Sequence, residues 1–290
     1  MFSRFKNFGL LFSLCLTTAA TVLPVAAQDD KPSPSPPPPQ QQQEKPKKEE
    51  KTKPQQPQQI TDFSKLETAE QVAETAILIY SGLGGRPNLQ QIRRTTVENG
   101  RTTIFNPDNS TEQIPYTRRI IRGENLEKER IRLDQEISGS RYSLIYDNGG
   151  VLGLFNETVF TPKDEAVKSF QNQLWRGLEA LLRYRENGST IALNGREKYM
   201  NVEYYVLGLI DKQDRRTRYF ISTKTLRVMW LEYTENEVKY TRRFHDYRYA
   251  QGTLVPYRTT LAAGDRQIEE TTISTVTYGQ KVEDDIFQIG

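Results

Sequence analysis

The alternation of apolar and polar residues predicts a chain that is mostly β-strand after about residue 90. Between residues 130 and 136, Ile131 and Leu133 alternate with charged side chains, which is the period of a half-buried strand. Later runs are long and rich in Tyr, Val, Thr and Ile, with short turns between them. We expect about ten antiparallel strands, in the segments 92–97, 102–105, 130–136, 142–146, 151–155, 198–210, 219–222, 226–233, 238–249, 255–261 and 267–278, with the tail 282–289 closing the pattern.

Three Asn-Gly pairs lie between apolar runs and predict two-residue hairpin turns. The pairs are Asn99-Gly100, Asn148-Gly149 and Asn194-Gly195. Both central residues of the favoured hairpin turn need a positive φ angle, which Asn and Gly tolerate best. Short turns throughout argue against a parallel sheet, because parallel strands need long crossover connections.

Two helices are predicted to accompany the sheet. Thr68 followed by Gln71 has the form of a capping box and starts a helix over 68–80, which the glycines at 82, 84 and 85 and Pro87 should end. Thr161-Pro162 should start a second helix of about 25 residues, ending near Asn187-Gly188. Its apolar residues recur at spacings of three and four and should line one face: Val167, Phe170, Leu174, Leu178 and Leu181.

The resulting fold class is α+β. We expect a curled antiparallel sheet, or half-open barrel, with the two helices covering its concave face, because a sheet of this size must curl to bury one side. The chain is long enough from residue 60 to 290 for one large core.

The first 27 residues have the order of a secretory signal peptide. Arg4 and Lys6 precede an apolar run that ends in Val25-Ala26-Ala27, with small residues at the expected cleavage site. Retention as a membrane anchor is the alternative, since the stretch 9–27 is about as long as a minimal span. Cleavage would leave no cysteine, because Cys15 is the single one in the chain.

The segment 28–59 predicts a disordered spacer. It holds nine Pro and nine Gln and no aromatic residue, so it cannot bury enough apolar surface to offset the entropy of ordering. We interpret it as a tether for the domain that follows; a Pro-rich ligand for another envelope protein is the alternative.

Charge disfavours nucleic acid as a partner. Residues 60–290 carry 32 basic and 32 acidic side chains, whereas nucleic-acid-binding domains have a basic surplus on one face. We expect the short Arg clusters at 118–122, 215–218 and 242–243 to lie on a solvated sheet face in cross-strand ion pairs.

Catalytic patterns are weak. His245 is the single histidine, and its neighbour Asp246 should point to the opposite face of a strand. Gly82-Leu83-Gly84-Gly85 follows a helix and lacks the Lys-Ser/Thr of a phosphate loop. We therefore expect no enzyme activity, no metal and no cofactor.

Two motifs stand out in the C-terminal half. The first is the stretch Phe244-His245-Asp246-Tyr247-Arg248, followed by Gly252 and Pro256, and the second is Asp284–Phe287. They are similar to the F-x-D-Y-R…G…P and the terminal D-x-x-F of the outer-membrane lipoprotein carrier family, the Lol-type carriers, which this half of the chain resembles. The chain departs from the family at Arg227, where a Pro is usual, and in its long spacer. The resemblance implies a half-open barrel that holds acyl chains of lipoproteins, or other apolar ligands, in its hollow.

Candidate ligand contacts are the helix residues Val167, Phe170, Leu174, Leu178 and Leu181, with the strand residues Val202, Tyr204, Val206, Met229 and Leu231. The alternative is that these side chains pack on one another as a dry core. The expected protein is a periplasmic monomer that binds a lipid or a lipoprotein acyl chain. An envelope interaction or stress-sensing protein that uses the same fold to contact a protein partner is the second hypothesis.

Overall fold

The computed structural model describes residues 63–288, so the expected signal peptide and spacer lie outside the described residues. Four α-helical segments occur: α1 (Ala69–Tyr80), α2 (Gly85–Ile92), α3 (Asp164–Arg176) and α4 (Leu178–Leu182). The strands are β1 (Thr95–Phe105), β2 (Thr111–Ile121), β3 (Arg130–Ile137), β4 (Ser140–Asp147), β5 (Gly150–Phe155), β6 (Thr158–Phe160), β7 (Thr190–Tyr199), β8 (Val202–Ile210), β9 (Arg216–Ser222), β10 (Val228–Glu235), β11 (Val238–Ala250), β12 (Thr253–Ala263) and β13 (Arg266–Tyr278).

All of these strands form one antiparallel sheet, which confirms the α+β class. Its order is β6-β5-β4-β3-β2-β1-β13-β12-β11-β10-β9-β8-β7, so β1 and the last strand β13 lie side by side at the middle. The sheet is open, with β6 and β7 as its two edges. The thirteen strands exceed the expected ten because β2, β6 and β7 were not among the predicted segments.

Helix α1 starts as predicted. The Thr68 hydroxyl accepts a hydrogen bond from the Gln71 amide at 3.1 Å, and the Gln71 side chain accepts one from the Thr68 amide at 3.1 Å. The apolar side of α1 packs in one core with side chains of β8, β9, β10, β11 and β12. Helix α1 contacts both β12 and β7, which are five strands apart in the sheet. In a flat sheet these two strands would be about 24 Å apart, whereas α1 is only about 18 Å long. The sheet must therefore curve around this helix.

The segment after α1 differs from the prediction. Gly85–Ile92 forms helix α2, where we expected a loop leading into a strand. Pro87 is compatible with the first turn of α2, because the first amides of a helix have no partner within the helix and the missing N–H of proline costs no hydrogen bond there. The Asn88 side chain donates to the Ser81 carbonyl at 2.8 Å and holds α2 against the end of α1.

The predicted long helix is wrong as a single element. It starts at Asp164, two residues after Pro162, and is interrupted at Gly177, which is extended with φ −77° and ψ −177°. A Cβ atom at this position would lie 2.3 Å from the Gln173 carbonyl oxygen, so only glycine fits. Helices α3 and α4 are thus separate, and the predicted single stripe is divided between them.

Two of the three predicted Asn-Gly turns are wrong. Asn99-Gly100 lies inside β1, at a bulge opposite β13, where a Cβ on Gly100 would lie 2.6 Å from the Tyr116 hydroxyl. Asn194-Gly195 lies at a bulge inside β7, and the chain turns instead at Met200-Asn201, with φ angles of 45° and 61°. Asn148-Gly149 does join β4 to β5 as predicted.

The tail also differs from the prediction. Asp284–Phe287 is a short 3-10 helix, and Phe287 packs with Ile145 and Leu154 against the face of the sheet opposite to α3. We call the face that carries α1, α3 and α4 the inner face and the opposite one the outer face.

Candidate functional site

One half of the inner face is apolar. Side chains from β8 to β12 meet α1 and α4 there, with Tyr205, Leu207, Ile221 and Leu231 fully buried. We call this region the apolar half. Its residues fill the space between the helices and the sheet, so burial of apolar surface is its main source of stability.

Next to it, on β11, β13, β1 and β2, the inner face is charged, and beyond this region Ile131, Leu133, Leu144 and Tyr146 form a second apolar cluster with Phe170 of α3. Glu98 on β1 forms an ion pair with Arg118 on the neighbouring strand β2, and Glu98 is fully buried. Glu269 on β13 lies 3.8 Å from Arg242 on β11, and both are buried. We call this region the charged half.

A second group of buried charges continues the charged half toward the helices. Glu179 on α4 accepts from Arg93 at 2.5 Å and from Arg122 at 2.8 Å, and Arg122 also contacts Glu129 at 3.1 Å. Arg183 is paired with Glu129. Burial alone would raise the pKa of Glu179, but the three arginines around it outweigh burial and lower that pKa to about 2. Glu179 is therefore ionised at any physiological pH.

The two halves meet at a cavity beneath α3 and Gly177. Its volume is about 90 Å³. Its apolar lining comes from the helices and from four strands: Ile120, Ile131, Phe170, Leu174, Leu178, Phe244, Val255 and Pro256. Its charged lining comes from the charged half: Arg93, Arg118, Arg122, Glu129, Glu179 and Arg242. The cavity is thus amphiphilic.

Around this cavity, Arg93 Nε, Thr96 Oγ1 and Gln173 Nε2 have no hydrogen-bond partner among residues 63–288, and all three residues line the cavity. Arg93 and Thr96 are more than nine-tenths buried. Buried polar groups are normally paired, so three hydrogen-bond donors with spare capacity in one cavity need an explanation.

The predicted contact residues fall into three places. Phe170, Leu174 and Leu178 line the cavity. Leu181 and Leu231 are fully buried in the apolar half, and Val167 lies half-buried on α3. Val202, Tyr204, Val206 and Met229 pack instead around Trp230 and Phe220 in a separate cluster. Ligand binding by any of them stays a prediction.

The charged side chains of the cavity were missed by the sequence analysis. Arg118, Arg122 and Arg242 belong to clusters that we expected on a solvated face, but their side chains lie on the inner face and are each less than a tenth exposed. Their neighbours Arg119 and Arg243 do lie on the outer side of the strands, in line with strand alternation. Two features of the sequence could have indicated these buried charges: the alternation of side-chain direction within each Arg cluster, and the acidic residues Glu98 and Glu269 on the polar strands β1 and β13.

The residues considered for catalysis are not assembled into a site. His245 is half-buried on β11, with its Nε2 atom 3.4 Å from the Thr260 hydroxyl, and burial lowers its pKa. Asp246 instead pairs with Arg258 at 3.3 Å. Over the described residues there is no group of His, Cys, Asp and Glu placed to hold a metal ion. Nor does that part of the chain contain a helix long and apolar enough to cross a membrane.

An open antiparallel sheet that curls around helices on one face is shared with solved structures. A LolA superfamily protein from Nitrosomonas europaea aligns with a TM-score of 0.53 at 13 % identity, covering 77 % of this chain and 98 % of that one. The described domain has a Lol-type carrier fold. A DUF1329 family protein from Desulfovibrio piger aligns with a TM-score of 0.53 at 12 % identity, over 76 % of this chain and 97 % of its own.

A third structure has the same Lol-type fold. It is a putative outer membrane lipoprotein-sorting protein domain from Vibrio parahaemolyticus, with a TM-score of 0.50 at 11 % identity, covering 67 % of this chain and 88 % of that one. No protein-family sequence model and no curated protein sequence matches the chain. The comparisons therefore establish the fold, and the function has to be inferred from the geometry of the site.

Proposed function

We propose that this protein is an exported, non-enzymatic binding protein of the bacterial periplasm that holds an acyl chain in the cavity beneath α3. The observation that carries the proposal is the apolar lining of that cavity by Phe170, Leu174 and Leu178, on a Lol-type carrier fold. Export rests on the signal-like residues 1–27. The expected ligand class is a lipid or the acyl chain of a lipoprotein.

The ligand enters by displacing α3. The cavity of about 90 Å³ is smaller than the roughly 150 Å³ cavity that accommodates benzene in an engineered protein, so a long acyl chain needs more room. Helix α3 is the element suited to move, since the buried residues on it are few: Ala166, Phe170, Trp175 and Arg176. The extended Gly177 separates it from α4, which stays packed in the apolar half.

The test is native mass spectrometry with lipid extraction on the full chain purified from a bacterial envelope fraction. We expect bound lipid that is lost in Leu174→Asp, because a carboxylate in the cavity lining opposes apolar contact. Lys168→Asp is the matched control, since Lys168 is exposed on the same helix. Circular dichroism of both variants checks that they are folded. A protein free of lipid, with no thermal shift from any acyl compound, would refute the proposal.

A second candidate function is contact with an envelope protein. Three large apolar side chains are exposed at the β6 edge of the sheet: Leu152, Phe155 and Val159, each about half exposed. Such exposure at a sheet edge is unusual enough to suggest an interaction surface. Site-specific crosslinking from Val159 in the envelope tests it, and loss of the crosslinked partner on deletion of residues 28–59 would place the spacer in the same contact.

A further inference from the structure

The charged half of the inner face carries a surplus of positive charge. Around the cavity, the described residues bring together five arginines and four glutamates whose side chains are no more than 12 % exposed: Arg93, Arg118, Arg122, Arg183 and Arg242, with Glu98, Glu129, Glu179 and Glu269. An uncompensated charge in a dry interior is costly. The arrangement therefore has room for one more anion.

The surplus is larger at neutral pH than this count suggests. Burial raises the pKa of Glu269 to about 7, because the Arg242 guanidinium at 3.8 Å offsets only part of the cost of burying the carboxylate. Near pH 7, Glu269 is thus partly protonated. Arg242 lines the cavity, so its guanidinium charge contributes to the surplus there.

Hydrogen-bond donors with spare capacity lie in the same place. Arg93 uses its terminal nitrogens on Glu179 and on the Leu254 carbonyl, which leaves its Nε–H without a partner among the described residues. The Thr96 hydroxyl and the Gln173 side-chain amide, likewise unpartnered there, can each donate a hydrogen bond. Several donors and a positive surplus around one cavity suit the oxygens of a carboxylate or a phosphate.

We propose that Arg93, Thr96, Gln173 and Arg242 form a cradle for an anionic head group, so that the ligand is an anionic amphiphile with its acyl chain among Phe170, Leu174 and Phe244. This inference rests on the proposed acyl binding and specifies which end of the ligand lies where. The head group is a carboxylate, as in a fatty acid, or a phosphate, as in a phospholipid. A neutral acyl ligand would leave the donors of the cradle unpaired.

The experiment measures the affinity of the full chain for three probes that share one chain length: laurate, dodecyl phosphate and dodecanol. We expect at least one anionic probe to bind about tenfold or more tightly than dodecanol, the difference expected for charge-assisted hydrogen bonds. The stronger of the two anionic probes identifies the carboxylate or the phosphate as the recognised group.

Variants locate the cradle. Thr96→Val keeps the side-chain shape and should weaken the anionic probe about three- to tenfold while leaving dodecanol unchanged, the value of about one hydrogen bond. Thr102→Val is the matched control, because Thr102 is buried on the same strand but bonds to Thr271 at 3.1 Å outside the cavity. The double variant Arg242→Gln with Glu269→Gln removes a cavity arginine together with its buried partner, and it should abolish the preference for the anion.

Two results would overturn the inference in different ways. Equal affinity for all three probes, unaffected by Thr96→Val, would reject the cradle and leave acyl binding intact. Absence of binding by every probe would reject acyl binding itself, and the cradle with it. Retained dodecanol affinity and an unchanged circular dichroism spectrum show that each variant is folded.

Discussion

The two halves of the inner face are built from one continuous sheet but are stabilised in opposite ways. In the apolar half, α1 and α4 cover fully buried side chains such as Tyr205, Leu207 and Leu231. In the charged half, equally buried positions hold Glu98 and Glu269. Close packing adds stability with each buried group, whereas a buried ion pair adds little and is strongly destabilising once broken. The difference predicts that the apolar half contributes more to the stability of the fold than the charged half does.

The largest expected effect comes from breaking one buried pair in the charged half. Glu98→Ala should lower the free energy of unfolding by about 3–5 kcal/mol, because it leaves Arg118 buried without its carboxylate. Replacing both residues by Met should cost far less, since no charge is then buried. Urea unfolding of the full chain measures both. A single variant as stable as the double variant would contradict the contrast between the halves.

The next effect probes the apolar half. Leu207→Ala should lower the free energy of unfolding by about 2–5 kcal/mol, since Leu207 is fully buried and a cavity would remain. Leu174→Ala in the cavity lining should cost clearly less, because Leu174 is only half-buried and already borders open space. The same unfolding experiment compares them. Equal losses would mean that the cavity lining is core like any other.

The pH dependence separates the halves further. The pKa of Glu269 is raised from 4.5 to about 7 by burial, so the folded state binds this proton more tightly than the unfolded state does. The contribution of Glu269 to the free energy of unfolding is therefore most favourable below pH 4.5. As the pH rises to about 7, that free energy falls by on the order of 3 kcal/mol. Glu269→Gln should therefore gain stability relative to the native chain between pH 5 and pH 8. Urea unfolding at each pH tests this, and parallel profiles would refute it.

The smallest effect concerns the start of α1. Thr68→Ala removes the hydroxyl that accepts from the Gln71 amide and should lower the free energy of unfolding by about 1 kcal/mol. Thr68→Ser, which keeps the acceptor, is the control. A loss well above this would mean that α1 determines the stability of the apolar half through more than its packing.

Local sequence signals predicted the elements whose chemistry is local. The capping box at Thr68 and the turn at Asn148-Gly149 depend on neighbouring residues, and both were confirmed. Asn99-Gly100 carries the same turn signal, yet strand pairing on both sides of β1 and the packing of Tyr116 on Gly100 override it. Asn194-Gly195 carries this signal as well, but it lies at a bulge inside β7, which continues to pair with β8. Strand β2 was not predicted, and Pro115 within it has the features of a breaker.

The candidate site was predictable only in part for a similar reason. Phe170 and Leu174 lie at helical spacing on α3, and this spacing suffices to place both on the face that lines the cavity. Leu178 reaches the same cavity from α4, after the break at Gly177, which the spacing did not predict. Arg93, Arg118 and Arg242 come from distant points of the chain, and their burial depends on β13 pairing with β1. Sequence order gives no information about that pairing, so a charged interior could not be distinguished from a solvated face.

The bulge at Asn194-Gly195 has a consequence for how the protein behaves in a crowded compartment. Strand β7 is a free edge, and an unpaired edge invites a strand from another molecule. Here the bulge breaks the regular spacing of the edge, and Arg196, Glu197 and Lys198 follow it with exposed charged side chains. An open sheet is thereby protected at this end against growing into a fibre.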